Sequence, residues 1–186
     1  MAIIAQVDSN VVRIAGKIAA HSELRNIALV DGRSALSPEF VEQGCRLPPD
    51  GWSVQTANSR TKVWIRDKHT LCTLIRFTLT GKEKEAAKEP AISITATFLA
   101  EYQLAEGFEP SPAEQKAFME ANAVFNCWPY WREFVKSTTA RMNLPPLTLP
   151  FFRVLPEKKK DRISSEEKKK QLPAPRREER AQKQAK

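Results

Sequence analysis

Residues 92–104, with the sequence ISITATFLAEYQL, decide the fold class of this chain. Every second residue from Ile92 to Leu104 is apolar, and most of the residues between them are polar. Because successive side chains of a strand point to opposite faces of its sheet, this alternation predicts a β-strand with one dry face and one mostly polar face. Such a strand is typical of an antiparallel sheet that is covered on one side.

Three more strands are predicted upstream of this one. Residues 70–80 place apolar side chains on one face, and residues 52–66 end in a similar pattern. The short break between them at Asp67-Lys68 therefore indicates a hairpin. Residues 23–35 fit a further strand that turns or bulges at Asp31-Gly32.

Helical patterns lie on both sides of the strands. Residues 8–10, Asp-Ser-Asn, are able to cap a short amphipathic helix that reaches Ala19. Ser-Pro-Ala-Glu at residues 111–114 is a capping-box signal for a helix start. A second helix is predicted from Asn126, because Pro129 is tolerated only within a first turn. The apolar side of the first of these helices includes Phe118, Ala121 and Phe125, and that of the second includes Trp128, Trp131 and Val135.

The order of elements predicts an α+β domain, in which a four-stranded antiparallel sheet has helices packed on one face and a short N-terminal helix precedes it. The chain has 186 residues and a formal net charge of +8. Residues 157–186 hold twelve Lys and Arg against six Asp and Glu, with few apolar side chains, which predicts a disordered basic tail. Residues 1–156 are long enough for one domain with one core.

Composition excludes several classes of protein. No apolar run approaches the roughly 18 residues of a transmembrane helix, so no membrane insertion is expected. Residues 1–13 lack the pattern of a secretion signal, and three scattered cysteines cannot form a disulfide scaffold. The expected compartment is therefore the cytoplasm.

The sequence carries no catalytic or cofactor-binding pattern. His21 and His69 are the only histidines, no glycine-rich phosphate loop follows a strand, and no Cys-x-x-Cys pair occurs. The spacing of His69 and Cys72 suits two metal ligands, but a site needs a second pair. We therefore expect neither an enzyme nor a bound metal or cofactor.

Apolar side chains crowd residues 144–155, which follow the second long helix and are called the apolar segment below. Pro145, Pro146, Pro150 and Pro156 hold this segment extended. An extended apolar segment offers contact to many polypeptides, because hydrophobic burial needs no partner-specific geometry. The same side chains also suit a segment that seals the protein's own core, and the residues alone leave both interpretations open.

Three stretches of the chain share their order and spacing with a known family. They are FLAEYQ at residues 98–103, FNCWPYWRE at residues 125–133 and NLPPLTL at residues 143–149. Together they resemble the SecB family of export chaperones. In that family a four-stranded antiparallel sheet precedes the helices, a Pro-Tyr-x-Arg-Glu motif opens the long helix, and a Pro-x-Leu-x-Leu segment follows it.

The resemblance implies an ATP-independent chaperone, or holdase, that binds unfolded or aggregation-prone client proteins along exposed apolar grooves. It also implies a homotetramer built as a dimer of dimers. Clients are expected to be export precursors or an antitoxin. In this chain the implied client-binding residues are Leu144, Leu147, Leu149, Phe151, Phe152 and Val154.

Charge separates this chain from the acidic, export-type members that it resembles. The resemblance places Glu101 where those members present a carboxylate to the translocation motor ATPase, so Glu101 is the candidate docking residue for that partner. It places Asn26 and Val30 at other acidic positions, and these side chains cannot reproduce the acidic surface. With its N-terminal helix, the chain is more similar to the toxin–antitoxin-associated or solitary SecB-like chaperones than to the acidic export type.

A nucleic-acid-associated binding protein is the alternative function. Lysine runs at residues 158–160 and 168–170 and the pair Arg176-Arg177 are able to neutralise phosphates through the tail. The tail has no aromatic side chains for base stacking, and Glu166-Glu167 and Glu178-Glu179 reduce its positive field. The chaperone interpretation is therefore favoured, and any contact with nucleic acid is assigned to the tail alone.

Overall fold

The computed structural model describes residues 2–46, 53–82 and 89–156, with side chains for residues 8–46, 53–82 and 89–152. The predicted tail lies outside these ranges, so its disorder and its proposed contact with nucleic acid stay predictions. The elements in chain order are β1 (Ala2–Val7), α1 (Ser9–Ala19), β2 (Ser22–Leu36), α2 (Pro38–Glu42), β3 (Ser53–Arg66), β4 (Thr70–Lys82), β5 (Ile92–Leu104), α3 (Pro112–Phe118), a π-helical turn (Met119–Ala123), α4 (Val124–Arg141) and β6 (Phe151–Pro156).

The main sheet has four antiparallel strands in the order β2-β5-β4-β3. β5 spans the predicted residues 92–104 and buries its apolar side chains. β3 and β4 form the predicted hairpin, whose turn holds Asp67 and Lys68 in the left-handed region at φ of 52° and 59°. β2 shifts register between Leu29 and Asp31, next to its predicted bulge.

Helices cover one face of the main sheet and close the core. Trp131 of α4 is buried and stacks on Phe77 of β4, with ring centroids 5.6 Å apart. Phe118 of α3 meets Tyr102 of β5 edge to face at 4.8 Å. Interlocking aromatic side chains therefore fix the helices over the two central strands. The predicted α+β architecture is confirmed.

The predicted N-terminal helix is present as α1, which packs against α3 and the π-helical turn. Asp8 caps it by accepting a hydrogen bond from the backbone N–H of Asn10 at 2.6 Å. Lys17 Nζ of α1 lies 2.8 Å from Glu114 Oε1 of α3. Small buried side chains let the two helices approach, and these are Ala15, Ala117 and Ala121.

The long helices differ from the prediction. The second begins at Val124 instead of Asn126, and the π-helical turn joins it to α3 without a break. Pro129 therefore lies inside α4, where it cannot donate a hydrogen bond to the carbonyl oxygen of Phe125, four residues earlier. Both residues are exposed, so water can bond to that carbonyl oxygen instead. Phe125, which the sequence places on the apolar side of its helix, is exposed, because a π-helical turn changes which face of the following helix meets the core.

A short helix and a two-stranded sheet have no counterpart in the sequence-based prediction. The short helix α2 lies in the connection between β2 and β3, where Ser37 caps it, Pro38 begins it and Phe40 is buried in the core. A second sheet of two parallel strands pairs residues 2–7 of β1 with residues 151–156 of β6. The end of the apolar segment is thus one strand of a small sheet.

Candidate functional site

The apolar segment is tied to α4 by hydrogen bonds between three α4 side chains and its backbone. The contacts move toward the start of α4 as the segment advances, so the segment runs antiparallel to the helix. The bonds join the N–H of Leu147 to Thr139 Oγ1 (3.0 Å), Arg132 Nε to the carbonyl oxygen of Leu149 (2.7 Å) and Trp128 Nε1 to the carbonyl oxygen of Pro150 (3.0 Å).

The residues predicted to bind clients divide between the core and the surface. Leu147 is half-buried against the core, and Phe151 is 68% exposed. Val154 belongs to β6, but its side chain lies outside the described part of the structure. The segment therefore contributes to the core and still offers apolar surface. Its side chains buried in the core are Leu144, Leu149 and Phe152.

A shallow apolar pocket of about 200 Å³ opens beside the first half of the apolar segment. Val54 of β3 and Ile92 of β5 form its sheet side, and residues 144–147 form the other. Thr139 also lines it, but the hydroxyl of Thr139 already accepts the N–H of Leu147. A pocket of this size suits a side chain and is smaller than the roughly 300–1,000 Å³ of small-molecule sites.

Two consecutive phenylalanines have opposite environments at the start of β6. Phe152 packs inward on Trp128, with ring centroids 5.0 Å apart. Phe151 points outward, because successive side chains of a strand alternate between its faces. The guanidinium of Arg132 lies 4.6 Å from the ring centroid of Phe151. This arrangement presents an aromatic side chain at the surface on a firmly held backbone.

Glu101 is engaged within the protein. Its carboxylate lies 2.7 Å from Arg66 Nη1 and accepts a hydrogen bond from Asn26 Nδ2 at 3.2 Å. The side chain is 15% exposed. A carboxylate neutralised in this way offers little charge to a partner, so the geometry lends no support to Glu101 as a docking residue. Docking of the motor stays a prediction.

Sequence analysis did not identify the side chains that hold the apolar segment. It assigns Trp128 to the buried side of its helix and gives no role to Arg132 or Thr139. These positions share one side of α4, because intervals of four and seven residues are close to whole helical turns. Side chains able to form hydrogen bonds, spaced four and seven residues apart on a helix that precedes a proline-rich segment, could therefore have indicated that the helix holds an extended chain.

The described ranges contain possible metal ligands and buried ionisable side chains. Within them, no group of three or more His, Cys, Asp or Glu side chains is arranged to hold a metal ion. Burial raises the pKa of Cys127 to about 12 and also raises the pKa of Tyr102, so both side chains keep their protons at neutral pH. Of the helices in these ranges, none combines the length and the apolar character that crossing a bilayer demands.

The fold is that of SecB-like chaperones. The chain is similar to Rv1957, a SecB-like chaperone of Mycobacterium tuberculosis solved in complex with a ChAD peptide from the HigA1 antitoxin, Rv1956. The two share a TM-score of 0.66 and 23% identity, over 78% of this chain and 100% of that one. A protein of unknown function from Streptococcus agalactiae aligns with a TM-score of only 0.39 and 10% identity, over 70% of this chain and 97% of that one. No protein-family model and no curated protein matches the sequence.

This similarity confirms the predicted resemblance to SecB-like chaperones as a resemblance of fold. It also agrees with the greater similarity to chaperones of toxin–antitoxin systems, because the neighbour was solved with an antitoxin peptide. One fold supports many functions, so the activity of this chain has to be argued from its own site.

Proposed function

We propose that this chain is an ATP-independent holdase that binds unfolded or aggregation-prone client polypeptides along the apolar segment. The observation that carries the proposal is the presence, on this one segment, of an exposed Phe151 and an apolar pocket of about 200 Å³. The shared fold with a chaperone that was solved with an antitoxin peptide supports the same role.

Client affinity arises from several shallow contacts. A client side chain fills the pocket while another part of the client covers Phe151. Full burial of a phenylalanine is worth roughly 1.5–3 kcal/mol, so two or three such contacts offset part of the cost of ordering the client. Apolar burial is non-directional, which allows many client sequences. Binding and release of this kind involve no chemical step and no cofactor.

An antitoxin is the favoured client, and an export precursor is the second choice. Delivery to the translocation motor depends on acidic docking residues in the family that the chain resembles. Here Glu101 is paired with Arg66, and Asn26 and Val30 carry no charge. A dedicated client needs no such docking surface. We place this activity in the cytoplasm, where newly made antitoxins and precursors are both present.

A homotetramer, arranged as a dimer of dimers, is proposed as the working form. β2 is an edge strand of the main sheet and exposes Leu24, Leu29 and Val30. An exposed edge with apolar side chains favours association with a second copy. Light scattering at micromolar concentration tests this, and a persistent monomer would contradict the tetramer.

The binding site is tested by a matched pair of phenylalanines. Phe151→Ser removes an exposed aromatic side chain from the segment, whereas Phe125→Ser makes the same change at an exposed position of α4. We expect the first variant to lose about tenfold or more in client affinity and the second to stay near wild type. The measurement is suppression of light scattering from a chemically unfolded test protein without ATP. A wild-type protein that does not slow this aggregation would remove the proposal.

A further inference from the structure

The backbone of β6 is already paired with a strand of the same chain. β1 lies parallel to it, with Ala2 beside Phe151 and Val7 beside Pro156, in a sheet separate from the main one. The apolar segment therefore ends in a strand whose hydrogen-bonding edge holds an extended, uncharged peptide of sequence AIIAQV. The pairing itself indicates the kind of polypeptide that fits this edge.

β6 is the firmly held partner of the two strands. Phe152 is buried against Trp128, and Trp128 also bonds the carbonyl oxygen of Pro150 at 3.0 Å. Arg132 bonds the carbonyl oxygen of Leu149 at 2.7 Å. The start of β6 is thus fixed to α4 by contacts that do not involve β1.

The backbone pairing that joins β1 to β6 is of a weak kind. Its only strand partner within the described ranges is β6. Two strands alone are marginal in water, and parallel pairing is the weaker kind. The next element does not depend on β1 either, because Asp8 caps α1 and Lys17 ties α1 to Glu114 of α3. β1 can therefore separate from β6 while α1 keeps its place.

We propose that β1 occupies the edge of β6 that receives an extended client segment, so that a client binds by displacing β1. This inference rests on the proposed holdase function and adds a backbone edge to its side-chain contacts. Pairing along a strand edge uses main-chain groups, which every residue except proline supplies in full. It therefore gives affinity without demanding a particular sequence. The preferred client segment is extended, uncharged and rich in β-branched residues, as β1 is.

A disulfide between β1 and β6 tests whether the exchange is needed. Ala5 and Val154 are register partners, and neighbouring strands lie about 4.8 Å apart, within the range that a disulfide spans. Ala5→Cys and Val154→Cys are introduced together with Cys45→Ser, which removes the half-buried native thiol. We expect the oxidised protein to bind an unfolded test client about tenfold more weakly than the same protein after reduction.

Removal of β1 gives the complementary measurement. A protein lacking residues 2–7 should bind the test client about threefold or more tightly than wild type, because no strand has to be displaced. A fluorescent peptide of residues 1–8 should bind this shortened protein, not the wild type, and the unfolded client should compete with it. Both measurements use a protein in which residues 2–7 are the only ones removed.

The outcomes separate this inference from the function on which it rests. Equal client affinity before and after reduction of the disulfide, in a protein that does slow aggregation, overturns the displacement of β1 and leaves the holdase intact. Failure of the peptide to bind the shortened protein also overturns it. If the peptide binds but neither the wild type nor any variant binds an unfolded client, the holdase function is wrong. The proposal that a client occupies the edge of β6 is then wrong as well.

Discussion

Arg132 Nε donates a 2.7 Å hydrogen bond to the main-chain carbonyl oxygen of Leu149. The same guanidinium lies over the exposed ring of Phe151. Hydrogen bonds from a charged donor are stronger than neutral ones, so one α4 side chain both holds the backbone of the apolar segment and orients its exposed aromatic residue. The position of the proposed binding surface is therefore set by the helix.

Replacement of Arg132 by glutamine should loosen the apolar segment. Loss of a charge-assisted hydrogen bond is expected to cost about 1.5–3 kcal/mol of unfolding free energy in urea titrations. Hydrogen exchange at the amide of Leu147, which Thr139 protects, should become faster. Arg132→Lys is the control, because it keeps the charge but loses the planar guanidinium, and it should give an intermediate result. Unchanged exchange at Leu147 in both variants would contradict the anchoring role.

Two buried threonines should respond in opposite directions to replacement by valine. Oγ1 of Thr73 in β4 is buried and has no hydrogen-bond partner among the described residues. Oγ1 of Thr139 accepts the N–H of Leu147 and donates to the carbonyl oxygen of Val135, both at 3.0 Å. Thr73→Val should be neutral or stabilise by about 1 kcal/mol, whereas Thr139→Val should destabilise by about 1–3 kcal/mol. Urea unfolding of the two variants measures the difference, and an equal loss in both would contradict it.

Local sequence patterns were sufficient to predict most of the fold. The alternation over residues 92–104 identified β5 with its correct ends. The capping box at the start of α3 is present, with Ser111 and Glu114 bonded to one another's backbone groups. Such signals are reliable because the interacting residues are neighbours in sequence. The residue types at short, fixed intervals therefore determine the local secondary structure.

Long-range packing could not be predicted in the same way. The pairing of β1 with β6 joins the two ends of the described chain, and no periodicity records which distant strand will be a partner. The apolar segment shows the same difficulty at two adjacent, identical residues. Phe151 is 68% exposed and Phe152 is 9% exposed, because the environment of each depends on which side of the strand meets Trp128. The residues alone therefore left both the core and the groove interpretations open.

The three cysteines should differ sharply in reactivity. Cys45 is half-buried, whereas Cys72 and Cys127 are buried. Burial raises the pKa of Cys127 to about 12 and is the main cause of the raised pKa of Cys72. Because the thiolate is the reactive form, a disulfide reagent such as DTNB at pH 8 should modify one thiol of the folded protein and three in guanidinium chloride. Cys45→Ser should leave none that reacts rapidly, and a second fast thiol in that variant would contradict the assigned burial.

The ion pair between Lys17 and Glu114 should make stability depend on acid pH. The hydrogen bond from Lys17, together with bonds from Ser111, lowers the pKa of Glu114 from 4.5 to about 2. The folded state therefore favours the charged form, so the stabilisation is complete above about pH 5 and is lost as the pH falls toward 2. Glu114→Gln cannot titrate, so its deficit in thermal midpoint relative to wild type should be largest near pH 7 and should shrink progressively below pH 4.5. A deficit for Glu114→Gln that stays constant down to pH 2 would mean that the contact between α1 and α3 does not depend on this carboxylate's charge.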